Sequence, residues 1–311
     1  MNMKTVYLNK FMSSVVAELE MNGQYGTAHV CGSVLRSVMA FGGEGLPVSG
    51  ITPLWLKAYE GYLLHKGGKG LAWNTVSTYM RMLQAVYNRA VVRKLAAFIP
   101  HQFRDVFTGR KADHRRVLER DDMQKLLLDR DPDITSPGMA WARACLELMF
   151  RFHGMPFVDL AHLRKSDLKD GYLTLRRRKT GMPLSARVDG RAMQLLERYR
   201  NRDDTSPYLL CFLDGNLEGM AAYRDYQRIL RLLNSRLRAL ALWKKVQGKV
   251  TSYSARHTWA TVGRYCHIPI EVISEGLGHA SVTTTEGYMK GFGNSRMDRA
   301  NKVIMNYIFK G

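Results

Sequence analysis

Carboxylates are scarce in this 311-residue chain: 27 Asp and Glu stand against 47 Lys and Arg, a formal charge of +20. Such an excess favours polyanions, either nucleic acid or an anionic membrane surface. Cysteine is also sparse. Cys31, Cys145, Cys211 and Cys266 lie far apart, with no CxxC pair and no Cys/His spacing suited to zinc. That argues against a small disulfide scaffold and leaves reduced thiols as the expectation. No apolar run is long enough to cross a bilayer, and Phe11–Ala17 is too short for a secretory signal before Glu18 interrupts it. The expectation is a cytoplasmic chain with no membrane partner. Several enzyme signatures are missing too: GxxxxGK[ST], GxGxxG after a strand, HExxH and GxSxG. ATP use, nicotinamide chemistry and zinc hydrolysis thereby lose their usual support. Asp159 and Asp167 form too slight a carboxylate pair for a two-metal nuclease and are expected to pin local turns and helix ends.

What is present is a globular composition, 46% hydrophobic and 24% charged, with length for two domains. The charge is no detachable tail, since residues 1–110 carry +7 and residues 111–311 carry +13. The first hundred residues are patterned as helices. The clearest runs over 74–92, with Val76, Tyr79, Met80, Leu83, Val86, Tyr87 and Ala90 at helical spacing. Ser77, Arg81 and Gln84 occupy another face, which suits either phosphate contacts or plain solvation. Turn-rich breaks fall at Gly42–Gly50 and at Gly67, Gly68 and Gly70. The segment Gly109–Arg116 lacks apolar periodicity and is the expected linker, giving domains 1–111 and 112–311. Beyond it, helices are expected over about 120–129, 138–153, 190–201, 219–241, 252–266 and 295–309. Strands are expected at Tyr172–Leu175 and Leu184–Val188, around the turn Lys179-Thr180-Gly181.

The last sixty residues hold an ordered set of short motifs: Ser254-Ala255-Arg256-His257, then Leu277-Gly278-His279, then Thr283-Thr284-Thr285-Glu286-Gly287-Tyr288. Upstream lie Arg178-Lys179-Thr180-Gly181, the segment Gly154–Leu168, and Thr75–Tyr79. This set resembles the tyrosine recombinase (phage integrase) family over nearly the whole chain, including the spacing from His279 to Tyr288. Finer details, such as Gly154–Leu160, resemble the integrases and invertases of gut-anaerobe mobile elements. The resemblance implies a mainly α fold with a small β-sheet. An all-helical SAM-like core-binding domain would be followed by an α+β catalytic domain.

The resemblance also implies roles. Tyr288 would be the covalent nucleophile, forming a 3′-phosphotyrosyl intermediate that a DNA hydroxyl later attacks. Arg256 would hold the non-bridging phosphate oxygens. Lys179 would protonate the departing 5′ oxygen, and His279 would donate to the phosphate or position the tyrosine. Arg176, Arg177 and Thr180, with Ser77 and Arg81, are candidates for DNA backbone contacts, the two arginines being otherwise merely exposed. His257 is expected in the core or behind the site.

Two positions depart from the family pattern. Pro156 stands where a first catalytic arginine is usual and cannot donate a hydrogen bond. Tyr253 stands where histidine is usual, and its hydroxyl still donates although it does not titrate near neutrality. Arg143, on an apolar helix, is the expected replacement for the lost arginine, with Arg151 and His153 next. The family resemblance requires neither metal nor nucleotide cofactor. Its expected partners are duplex DNA with specific recombination sites, three further copies in a tetramer, and accessory DNA-bending proteins, all at the nucleoid. The segment Asn294–Phe309 suits packing into a neighbouring subunit or into its own core. Integration, excision and inversion stay open, inversion being somewhat favoured. Competing readings are a DNA-binding accessory protein that has lost its chemistry and a type IB topoisomerase-like relaxase.

Overall fold

The computed structural model describes residues 5–111, 117–128, 136–279, 281–286 and 301. The expected helix over 295–309, residue 301 apart, and the nucleophile candidate Tyr288 lie outside the described residues. The chain divides into two compact units, residues 1–112 with 218–223, and residues 113–217 with 224–311.

The first unit is helical: α1 (Leu8–Met21), α2 (Tyr25–Gly42), α3 (Pro53–His65) and α4 (Trp73–Val92). Helix α1 buries Leu8, Phe11, Met12, Val15 and Leu19, a stripe at three- and four-residue steps that packs on one side of the helix. Thr52 starts α3 by accepting the Trp55 N–H at 3.2 Å, with Pro53 in the first helical position where its missing N–H costs nothing. Between α3 and α4 the chain turns at Gly70, which has φ +65. A Cβ there would lie 1.8 Å from the Leu64 carbonyl oxygen, so only glycine fits.

Helix α4 follows its apolar periodicity and buries Val76, Met80, Leu83, Val86, Tyr87 and Ala90. It also buries Ser77 completely, and the hydroxyl donates to the Gly109 carbonyl at 2.6 Å. Ser77 is therefore not a phosphate contact: its one proton is already used inside the unit. Arg81 remains exposed, as expected of a face turned to solvent. The start of the expected linker is also anchored. Asn74 exchanges two 2.8 Å hydrogen bonds with the Lys111 backbone, and the Lys111 ammonium sits 4.3 Å from the Trp73 ring centroid.

The second unit contains α5 (Arg120–Leu127), α6 (Pro137–Arg151), α7 (Phe157–Ala161), α8 (Gly190–Arg198), α9 (Gly219–Trp243, from residue 224 on), α10 (Ser254–Tyr265), α11 (Ile270–Gly276) and α12 (Val282–Glu286). Its antiparallel sheet has the order β1 (Leu168–Lys169), β2 (Tyr172–Arg176), β3 (Pro183–Arg187). Helix α6 is buried at every position from Ala142 to Met149, which makes it the central element of this core. In the sheet, Leu173 pairs with Ala186 and Leu175 with Leu184, so alternate residues of both strands face that core. Helix α8 starts on Asp189, whose carboxylate accepts the Ala192 N–H at 2.7 Å. It stops at Arg198, earlier than periodicity suggests, because the next residues pair with the 209–211 segment; Cys211 N donates to the Tyr199 carbonyl at 3.0 Å.

Candidate active site

Four segments of the second unit converge. Helix α10 begins in a tight turn, with Ser254 N donating to Thr251 O at 2.9 Å and the Ser254 hydroxyl accepting from Thr251 N at 3.1 Å. Ser252 N is held by the Asn234 amide oxygen of α9 at 2.9 Å. This stitching sets Arg256 in the first turn of α10, only 3% exposed. Its guanidinium donates to Gly154 O at 3.1 Å, to Leu277 O at 2.7 Å and to His279 Nε2 at 2.7 Å. Gly154 has φ +66, and a Cβ on it would lie 2.9 Å from the Arg256 Cα. The segment after α6 can thus approach the arginine only as glycine.

Helix α11 ends at Gly276, and Gly278, with φ +60, turns the chain so that His279 N bonds back to Ser274 O at 3.0 Å. The Leu277 carbonyl left by this turn receives two arginines, Arg256 and Arg177. His279 is fixed on both ring nitrogens. A guanidinium has no lone pair to offer, so Nε2 must accept from Arg256. The proton then resides on Nδ1, which donates to Thr285 Oγ1 at 2.7 Å, on the buried face of α12. Burial, followed by the charges of Arg256, Arg177 and Lys179, pushes the His279 pKa down to about 4. The imidazole is neutral at physiological pH, and Nε2 holds Arg256 rather than presenting a proton. In this arrangement His279 accepts from Arg256; of the two roles the resemblance implied, donating to the phosphate and positioning the tyrosine, the first would need that nitrogen protonated.

The β2–β3 turn brings the third cation. Gly181, with φ +69, closes it by donating its N–H to Arg177 O at 2.8 Å, and Arg177 N donates to Met182 O at 2.9 Å. Lys179 and Thr180 are exposed at its tip, and the lysine charge reaches His279. Arg176 is exposed and braces the turn through Gly181 O at 3.2 Å.

Arg177 is neither exposed nor available as a backbone clamp. It is 5% exposed and donates from Nε to Asp159 Oδ2 at 2.7 Å. The other oxygen of Asp159 accepts Arg178 N at 2.9 Å. The signal was in the strand parity: Leu173, Leu175 and Arg177 share one face, the buried one. Asp159 pins this turn and Asp167 caps the 3-10 turn at Arg164 N, 2.8 Å, as their expected structural role requires.

Arg143, the expected replacement, is buried on α6. It is 7% exposed on α6, with its charge beside the Tyr199 phenol at the end of α8, while the start of α8 meets α6 at Arg151 through Asp189. The two helices run in opposite directions, and α6 rises about 12 Å between residues 143 and 151. Arg151 is engaged by Glu147 at 2.9 Å and Asp189 at 2.6 Å, and His153 packs on Trp259 with ring centroids 5.6 Å apart. Pro156 caps α7 and offers no side-chain donor. Tyr253, 40% exposed, precedes α10 with its ring 6.3 Å from that of His257, which is buried as expected.

Residues 116–292, more than half of the chain, match the Phage integrase family, and residues 7–104 match the Phage integrase SAM-like domain. The chain belongs to the phage integrase family of tyrosine recombinases. Among relatives, this family member is 29% identical to tyrosine recombinase XerA of Pyrococcus furiosus over 140 residues, 44% of this chain and 46% of that protein. It is 26% identical to the putative integrase/recombinase y4gC of Sinorhizobium fredii over 180 residues, 56% of this chain and 88% of that protein. The match thus spans about half the length of the first relative.

Two solved structures share the fold. One is the Tn1549 transposon integrase in complex with transposon right end DNA, with a TM-score of 0.65 at 16% identity, covering 98% of this chain and 100% of that one. The other is lambda integrase (75–356) as a dimer bound to a COC′ core site, with a TM-score of 0.63 at 17% identity, covering 93% and 97%. The integrase fold assigns the helical first unit to the SAM-like domain and the three-stranded sheet to the catalytic domain. Among the described residues no helix is long and apolar enough to cross a membrane.

Proposed function

We propose that this integrase-family chain is a site-specific DNA recombinase that cuts and rejoins duplex DNA through Tyr288. The observation that carries the reading is the meeting of Arg256 and His279 at 2.7 Å, with the Lys179 turn tied through Arg177 to the Leu277 carbonyl that Arg256 also holds, which makes a positive pocket. Such a pocket suits a phosphodiester, whose transition state gathers charge on its non-bridging oxygens.

In the proposed reaction the Tyr288 phenol oxygen attacks phosphorus and loses its proton to solvent water. The bond to the 5′ oxygen breaks, and Lys179 supplies the proton that the leaving oxygen takes. The DNA 3′ phosphate stays on the tyrosine until a 5′ hydroxyl reverses the step, so bond energy is conserved and no external cofactor is consumed. Arg256 holds the phosphate, His279 keeps Arg256 and Thr285 in place, and Tyr253 offers its hydroxyl as a further donor. Residues 1–111 serve as the core-binding domain, with Arg81 on the DNA, and residues 112–311 carry the chemistry. Arg176 and Thr180 meet the backbone beside the lysine. Action as a tetramer on paired sites, with or without DNA-bending proteins, and residence at the nucleoid complete the proposal.

The test is a nicked suicide duplex carrying the inverted repeats nearest the gene. An adduct that survives denaturation in the parent chain and is absent in Tyr288→Phe supports the reading. Salt-dependent binding with no adduct would favour an accessory DNA-binding protein, and relaxation of supercoils without site preference a topoisomerase.

A further inference from the structure

We infer that Arg177 is a positioning residue that locks the Lys179 turn to the Arg256–His279 pair. The inference rests on the recombinase reading for what the locked geometry is used for. Its basis is a closed circuit of contacts. Arg177 Nε donates to Asp159 Oδ2 at 2.7 Å, and the same carboxylate takes Arg178 N at 2.9 Å, so the turn is gripped by side chain and backbone immediately before Lys179. Arg177 NH1 donates to Leu277 O, the carbonyl that also accepts Arg256 NH2 at 2.7 Å. Arg256 returns to Gly154 O at 3.1 Å, and Gly154 and Asp159 are the two ends of one short segment. Gly278 leaves the space that Arg177 fills: a Cβ there would lie 2.9 Å from NH1 and 3.3 Å from Cγ.

The choice of arginine follows from its shape. A planar fork serves two acceptors at a fixed angle, whereas an ammonium is a single point on a flexible stem. A buried ion pair contributes little net stability once desolvation is counted. Its contribution here is geometric. Arg177 in the lysine turn and Leu277 are 100 residues apart, and the joint contact of Arg177 and Arg256 at Leu277 O makes one rigid array of the turn and the arginine–histidine pair. Removing the guanidinium leaves Arg256 on Gly154 O, Leu277 O and His279 Nε2 but frees the turn that carries Lys179. Proton delivery to the leaving group then suffers before phosphate binding does.

The experiment uses full-length parent, Arg177→Met, Arg177→Lys and Lys179→Ala on the nicked duplex, with the scissile linkage either ordinary or a 5′-bridging phosphorothiolate. A thiolate leaves without a proton, so that substrate does not need the lysine. Arg177→Met and Arg177→Lys are expected to slow adduct formation about 100-fold on ordinary DNA, the scale of a lost general acid. On the phosphorothiolate they are expected to be near the parent rate, as Lys179→Ala is. Equal loss on both substrates, or no loss on either, overturns the inference. Amide hydrogen exchange supplies a readout free of activity. Arg177→Met should raise exchange about ten-fold at Arg178 and at Gly278–His279 together while α6 keeps its protection. A rise throughout the unit, or at one of the two segments alone, also overturns it. A parent chain that forms no adduct on either substrate would sink the recombinase reading and leave the exchange result to judge Arg177.

Discussion

Arg256 and His279 meet at 2.7 Å with the guanidinium donating, so the histidine carries its proton on the nitrogen that faces Thr285. The tautomer is set from both sides: a cation that can only donate on one edge, and a hydroxyl that accepts on the other.

Thr285→Val keeps the shape and removes that acceptor. The ring proton then has no partner, and the competing tautomer would turn an N–H toward Arg256. A loss of about 1.4 kcal/mol in the active arrangement, roughly ten-fold in the rate of adduct formation, is expected. Thr285→Ser should stay near the parent rate. Equal rates for Val and Ser would show that the Thr285 contact is idle.

Protonation should loosen the second unit. His279 and His162 are lowered to about 4, each chiefly by burial and then by nearby arginine, and His153 is lowered by burial. In the unfolded chain these groups titrate near 6.5. For His279 and His162, between that value and about 4 the unfolded chain binds protons that the folded chain does not, and His153 acts in the same direction. Stability is therefore held above the window and falls as pH drops through it. The Tm measured down this range should decline, and His162→Gln should flatten the decline. A Tm that rises on acidification would contradict the sign.

Ser77→Ala tests the inward role of a hydroxyl bonded at 2.6 Å to Gly109 O. It should cost about 1 kcal/mol in denaturant unfolding and leave DNA affinity and its salt slope unchanged. Arg81→Ala should do the reverse, weakening binding and lowering the salt slope by about one unit. A shift in salt slope for Ser77→Ala would return that residue to the DNA.

Arg143→Met removes a buried charge on α6. It should lower stability by about 2 kcal/mol while the folded fraction forms adduct at the parent rate. Loss of cleavage without loss of stability would place Arg143 in the chemistry after all.

Local pattern was enough for much of this protein. The three- and four-residue steps of α4, the alternation of β2 and β3, and the glycine-bearing turn at Lys179 are short-range properties, readable because each depends on neighbours in the chain. The ordered motifs ending at Tyr288 gave the family in the same way. The partner of each polar side chain was not readable. Periodicity placed Ser77 on a polar face, yet the Gly109 carbonyl waits there; parity turned Arg177 inward, but only the fold supplies Asp159 and Leu277 O. The apolar pattern of α6 said that Arg143 is buried, but not what it meets there. Arg256 finds Gly154 from 102 residues away. Which atoms share a pocket is decided by the packing of distant segments, and that packing turned a row of recognisable residues into a fixed electrostatic array.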